Sequence, residues 1–204
     1  MTIKEQCQKY AHDAEQFQKD LAEFIVANEL KIIVETGMGV STVYILQAFD
    51  DHNIEGKLYS IDPEPWYPEE IEHPKLKPLK MKSTSGMGVA YINDYAWDLF
   101  LHDGNHDIHA MTYDIEMAYG LVREGGYIVC DDTGWNGHRA WEDFLERHSL
   151  TDNRFGSARI IQKKIPDFVH YADLKDYHLR CLMMADEAES EWLAKGNTNS
   201  PQFV

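Results

Sequence analysis

Apolar residues fall along this chain in two rhythms. Over residues 4–29, Cys7, Tyr10, Ala14, Phe17, Leu21 and Phe24 recur at three- and four-residue steps between Lys, Glu, Gln and Asp. That spacing predicts an amphipathic helix whose stripe packs on its own domain or on a partner helix. Too few heptads are present for a long coiled coil. Short β-branched runs follow: KIIVETG (31–37), LYSID (58–62), a weaker run near 77–82, WDLFLHDG (97–104), YIVCDD (127–132) and SARIIQKK (157–164). Each reads as a strand. Helical spacing lies between them at 41–49, 85–94, 106–123 and 141–148. In the third of these helices Ile108, Met111, Ile115, Ala118 and Val122 share a side, and Gly125-Gly126 read as its terminus. Five prolines between Pro63 and Pro78 predict a loop-rich connection with little regular helix. A further helix is expected at 183–195, before a Gly/Asn/Ser/Pro tail that should fray.

Strands alternating with helices at this spacing predict an α/β fold, a mainly parallel sheet with helices on both faces. The expected organisation is one domain over 1–204: an N-terminal helix (1–29), a core (30–165) and a C-terminal extension (166–204). Ligands of such sheets sit beyond the carboxyl ends of the strands. Glu35, Asp62, Asp103, Asp131 and Asp132 all fall at those ends.

The first strand runs into Glu35-Thr36-Gly37-Met38-Gly39-Val40-Ser41-Thr42. Two glycines one apart permit a tight turn and close backbone approach to a ligand, although a plain structural turn would use them equally well. Ser41 and Thr42 can cap the following helix. A dinucleotide turn would carry a third glycine where Thr42 stands. Glu35 would also repel a pyrophosphate, yet it can pair with a cationic amine. The turn therefore favours a ligand bearing an ammonium group.

Charge narrows the partners. The 204 residues hold 19 Lys plus Arg against 35 Asp plus Glu, a net −16. That field opposes nucleic acid and anionic membranes alike. Cys7, Cys130 and Cys181 are too few and too scattered for a disulfide framework or a zinc site. The polar start MTIKEQCQKY lacks an apolar signal core, and no run reaches a membrane span. The expectation is a cytoplasmic protein with reduced thiols.

VETGMGVST resembles the first motif of class I S-adenosylmethionine-dependent methyltransferases, and IDPEP, WDLFLHDGNHD and LVREGGYIVCDD continue the match in order. The resemblance covers about residues 28–165 and is closest to small O-methyltransferase-like families. It implies that Gly37 and Gly39 line the methionine moiety of S-adenosylmethionine, with Glu35 near its amino end. Asp62 would take both ribose hydroxyls, Ser83 or its neighbours would sit near the adenine, and Ser41 and Asp103 would complete the cofactor-binding set. In catechol-type relatives such strand ends hold a divalent cation, which assigns Asp103, Asp131 and Asp132 to Mg²⁺, Mn²⁺ or Ca²⁺. The plainer alternative is that Asp131 and Asp132 cap a loop.

His106, with Asp103, is the candidate catalytic residue. An imidazole there can take the proton of an acceptor hydroxyl, or else merely position substrate or cap the next helix. Trp66, Tyr67, Trp135, Asn136 and His138 can shape the acceptor pocket, while Cys130 belongs to the core. The implied activity is O-methylation of a small-molecule acceptor. The rivals are a diverged cofactor-fold binding protein and a dinucleotide-dependent oxidoreductase. The N-terminal stripe also allows a homodimer. One departure from the family pattern concerns the sheet's closing antiparallel pair. Only Leu150 to Gly156 precede SARIIQKK, so one strand is shortened, missing or supplied from 166–172.

Overall fold

The computed structural model describes residues 3–10, 16–65, 71–134 and 137–164, with backbone alone at Lys4, Cys7, Gln8 and Tyr10. Its helices are α1 (Ile3–Tyr10), α2 (Gln16–Ala27), α3 (Val40–Asp51), α4 (Ser83–Asn93), α5 (Ile108–Leu121) and α6 (Gly137–His148). Its strands are β1 (Ile32–Thr36), β2 (Lys57–Ile61), β3 (Leu76–Leu79), β4 (Trp97–His102), β5 (Val122–Cys130), β6 (Asn153–Phe155) and β7 (Ala158–Gln162). They form one sheet in the order β3-β2-β1-β4-β5-β7-β6. β1 to β5 pair in parallel, while β7 runs antiparallel to both β5 and β6.

The apolar runs are continuous because both faces of the sheet are covered. Ile33, Leu58, Leu99, Leu101, Val129 and Ile160 pack under α1, α2 and α3. Their neighbours Val34, Tyr59, Phe100, Ile128, Cys130 and Ile161 pack under α4, α5 and α6. Successive strand side chains point to opposite faces, so each run supplies two cores. A fully buried Leu, Ile or Phe contributes about 1.5–3 kcal/mol. The order reverses between β1 and β4, and that switch point opens the crevice used below.

The N-terminal stripe resolves into α1 and α2, with residues 11–15, Ala14 among them, outside the described residues. Phe17, Leu21 and Ile25 are buried in the chain's own core, and Phe24 stands edge-on to Tyr127 and Phe155. The α2 part of the stripe is thus covered by the chain's own core. Residues 183–195 and the tail also lie outside the described residues.

Two expectations change and a third matter, left open between alternatives, is decided. The helix expected over 106–123 begins after Asp107, whose carboxylate caps it by accepting the His109 and Ala110 N–H groups at 2.9 and 3.4 Å. It ends where Val122 turns extended (φ −65°, ψ 137°), and Gly125-Gly126 lie inside β5 instead of closing the helix. The glycines serve strand packing: a Cβ on Gly126 would sit 3.0 Å from the Asp98 carbonyl oxygen. The closing antiparallel pair is complete within the core, because β6 is cut to three residues and hairpins directly onto β7.

Candidate functional site

Four loops converge on the carboxyl edge of the sheet, after β1, β2, β4 and β5. The first two are held mainly through the backbone. Gly37 has φ +90°, and a Cβ there would lie 2.0 Å from the carbonyl oxygen of Asp103. Only glycine allows both the left-handed turn and that approach. The Gly37 N–H donates to the Ile61 carbonyl at 2.9 Å, and Asp103 N–H to that of Thr36 at 2.9 Å. Asp62 follows β2; its Oδ2 accepts the Met38 N–H at 3.0 Å and its Oδ1 the Glu64 N–H at 2.8 Å. A two-oxygen acceptor thus stands against the glycine turn.

Gly39, not Ser41 or Thr42, is the N-cap of α3. The Thr42 hydroxyl accepts the Gly39 N–H at 3.0 Å and donates to Glu35 Oε1. Ser41 turns instead to the next loop, its hydroxyl donating to Asp103 Oδ2 at 2.9 Å. Glu35 has no exposed surface. Burial pushes its carboxyl up to about 8, against the Thr42 hydrogen bond and with help from Asp103 and Asp62. Glu35 therefore underlies the turn as a neutral acid near pH 7. Ser83 opens α4 at the same edge, beyond β3.

The β4 and β5 loops are held by side chains. Asn105 Oδ1 accepts the Asp107 N–H at 2.9 Å, which fixes the loop carrying His106. His106 precedes α5 instead of starting it. Its Nδ1 lies 3.8 Å from Asp132 Oδ2, while its Nε2 is buried with no hydrogen-bond partner among the described residues. Burial, followed by the neighbouring His102, lowers its pKa, and Asp132 and Asp131 oppose that. Asp103 is pushed up to about 7, first by burial and then by the charge of Asp131; Ser41 works the other way, and Asp132 adds to the rise.

The three aspartates are near enough to feel one another, yet they do not converge. Asp131 Oδ1 accepts the Asp132 N–H at 2.9 Å and the Ser157 hydroxyl at 3.0 Å. Asp132, at φ +50°, turns outward toward His106. Among the described residues no group of three or more His, Cys, Asp or Glu is placed to hold a metal ion. The donor set suits a hard cation in chemistry but not in its present geometry. Of the proposed pocket residues, His138 lies exposed on α6, whereas Trp66, Tyr67, Trp135 and Asn136 lie outside the described residues. Cys130 is buried, as expected of a core residue.

Two residues of the site escaped the sequence reading. His102 ends β4 with no exposure, and Asp114 lies buried on α5 with its Oδ2 3.5 Å from His102 Nε2. The available signals were a histidine inside an apolar strand and a carboxylate on the Met111–Ile115–Ala118 face.

Residues 34–133 match the family model of a methyltransferase domain. Among curated proteins, none matches the chain in sequence. Solved structures share the fold at low identity. The mycinamycin-pathway methyltransferase MycE, in complex with Mg, S-adenosylhomocysteine and mycinamycin VI, is 12% identical over 82% of this chain and 56% of its own, with a TM-score of 0.61. A Staphylococcus aureus protein assigned as a caffeoyl-CoA O-methyltransferase is 14% identical over 81% of this chain and 93% of its own, at 0.58. CmcI with Mg and S-adenosylmethionine is 14% identical over 71% and 70%, at 0.52. The chain spans only about half the length of MycE. No helix among the described residues is long and apolar enough to cross a membrane.

Proposed function

The core of this chain belongs to the class I S-adenosylmethionine-dependent methyltransferases, and from that premise we propose methyl transfer to a hydroxyl oxygen of a small molecule. One observation carries the reading: the glycine turn and the His106 loop are in backbone contact across Gly37 and Asp103. The cofactor's methionine end and a candidate base therefore share one crevice. The caffeoyl-CoA O-methyltransferase assignment of one structure that shares the fold supports the same chemistry.

In this reading Gly37 and Gly39 line the methionine moiety, with Ser41 and Asp103 beside it. Glu35 lies beneath its amino end, Asp62 takes the ribose hydroxyls and Ser83 borders the adenine. The sulfonium methyl is already activated, so the protein chiefly aligns the nucleophile, methyl carbon and sulfur. The acceptor oxygen bonds to the methyl carbon as the carbon–sulfur bond breaks, and its electron pair stays on sulfur. The hydroxyl proton passes to His106 Nδ1, where Asp132 stabilises the imidazolium. Burial keeps His106 neutral and ready to accept at neutral pH.

Calorimetry against S-adenosylhomocysteine, NAD and NADP tests the cofactor, followed by label transfer from methyl-labelled S-adenosylmethionine to a panel of phenols and sugars. We expect S-adenosylhomocysteine alone to bind and label to reach a hydroxyl. Binding of only a dinucleotide overturns the reading in favour of an oxidoreductase. Binding of S-adenosylhomocysteine without transfer to any acceptor favours a diverged binding protein.

A divalent cation is a second reading of the acidic cluster, favoured by the raised Asp103 carboxyl, a cost that a cation would remove. Asp103, Asp131 and Asp132 would hold it, once Asp131 and Asp132 turned from their present partners. Its chemistry would be to draw an acceptor hydroxyl toward its alkoxide. Full turnover in EDTA removes this reading.

A further inference from the structure

One helix of this acidic chain carries no charge. Helix α4, STSGMGVAYIN, holds no Asp, Glu, Lys or Arg, although these make up 26% of the sequence. A helix lying on a sheet ordinarily turns charged residues to water. Met87 and Ala90 of α4 are buried in the core, while Ser85, Val89, Ile92 and Asn93 are exposed. Ile92 is 71% exposed and Tyr95, three residues on, is 68% exposed. Tyr95 is steadied by the Tyr91 ring, edge-on at 5.1 Å. Single exposed apolar residues are ordinary, whereas a row of them along one helix marks a contact surface.

We propose that residues 174–192 of the same chain pack as an amphipathic helix across Val89, Ile92 and Tyr95. Residues 165–204 lie outside the described residues, and the place where the chain enters them selects this occupant. After β7 the Lys163 N–H donates to the Gly126 carbonyl at 2.8 Å, and the Gly125 N–H to the Lys163 carbonyl at 2.9 Å. The Lys163 ammonium reaches the Val122 and Gly120 carbonyls at 2.6 and 3.4 Å, at the end of α5. Val122 pairs with Trp97, two residues beyond Tyr95. Lys163 also shares its side of the strand with Ile161, which packs in the core beneath α4, α5 and α6. The chain thus leaves the core at the sheet edge where the α4 row ends, and on the same face. From Lys163 to Tyr95 the path crosses two strand spacings, ~10 Å, and a few residues of chain. Residues 165–173 reach up to ~30 Å when extended, which exceeds it.

The sequence of the segment suits the surface. Leu174, Tyr177, Cys181, Met184, Ala188 and Trp192 recur at three- and four-residue steps, and every charged residue between 174 and 192 falls off that row. Such spacing gives a helix one apolar side. A second copy is the poorer occupant. Each copy carries −16 and repels the other. A free partner also loses translational freedom on binding, whereas a short tether holds its segment at an effective concentration near millimolar.

Amide hydrogen exchange on the full chain tests the proposal, with no ligand added, so its outcome is independent of the chemistry proposed above. Residues 174–192 should exchange about tenfold or more slowly than an unstructured chain, equally at low and high protein concentration. That protection should be lost in Ile92→Glu and in Tyr95→Glu while β1 and β4 keep theirs, because both side chains lie mostly outside the core. Trp192→Glu, made on the segment itself, should have the same effect. Fast exchange over 174–192 in the wild type overturns the proposal without any variant. Protection that survives all three substitutions overturns it as well, since the segment then packs elsewhere. Protection that appears only at high concentration, together with a dimeric mass in sedimentation, overturns it in favour of a second copy.

Discussion

On one side of the Gly37–Asp103 contact the site is made of backbone, and on the other of charge. The β1 and β2 loops are shaped by a left-handed glycine, by close carbonyl approach and by Asp62 gripping two N–H groups. The β4 and β5 loops depend on the side chains of His102, Asp103, His106, Asp114, Asp131 and Asp132; burial first, and then neighbouring charge, raises the carboxyl of Asp103 and lowers the pKa of His106. A backbone cradle fails when a side chain is added. A charged pocket fails when a proton is moved. Under the proposed function, cofactor holding and proton handling would thereby be exposed to different perturbations, although the two loops touch.

The largest expected effect breaks the backbone side. Gly37→Ala places a methyl group 2.0 Å from a carbonyl oxygen at φ +90°, and neither neighbour is a flexible side chain. The loss should exceed about 4 kcal/mol, the range reserved for severe single substitutions. Thermal unfolding and S-adenosylhomocysteine calorimetry should fall together.

Next comes Glu35, the one strongly shifted carboxyl beneath the backbone cradle. Its carboxyl rises from 4.5 to about 8 in the fold, so the native state keeps a proton that the unfolded chain has already released. Stability should therefore be full below pH 4.5, decline as pH rises, and level off above about 8. Asp103 steepens the same decline below about pH 7. Glu35→Gln keeps an acceptor for Thr42 and should remove the upper part of the slope, gaining about 3–4 kcal/mol at pH 8.5. Urea unfolding at pH 5, 7 and 8.5 checks it; parallel curves for both proteins would sink the assignment.

The smallest effect sharpens the charged side. His106→Gln should lower kcat about 10²-fold, or roughly 2.7 kcal/mol, while leaving S-adenosylhomocysteine affinity intact. A change in cofactor affinity with unchanged kcat would mean that His106 belongs to the cradle.

Much of this was legible along the chain. The runs ending at Glu35, Asp62, Asp103 and Asp131 are strands because β-branched residues and alternation are local properties, and they placed the crevice before any contact was known. The fold class followed from the same segments. Other features depended on contacts across the fold. Ser41 is a sound helix cap on paper, but Asp103, 62 residues away, claims its hydroxyl. The Gly125-Gly126 pair reads as a helix end, yet it falls within β5, at the irregularity between the Trp97–Val122 and Leu99–Tyr127 pairs and close to the Asp98 carbonyl.

The acidic residues at the strand tips were written into the pattern; their employment was not. Periodicity tells which face and which end of a strand a residue occupies, since that depends only on its neighbours in the chain. Whether a carboxylate there meets a hydroxyl, an imidazole or another carboxylate depends on segments brought within a few ångströms by the sheet order. Asp131 turned to Ser157, Asp132 to His106 and Asp114 to His102 by that route alone. Local sequence therefore specified the crevice and its glycine turn, and only tertiary packing decided which nitrogen of His106 faces Asp132.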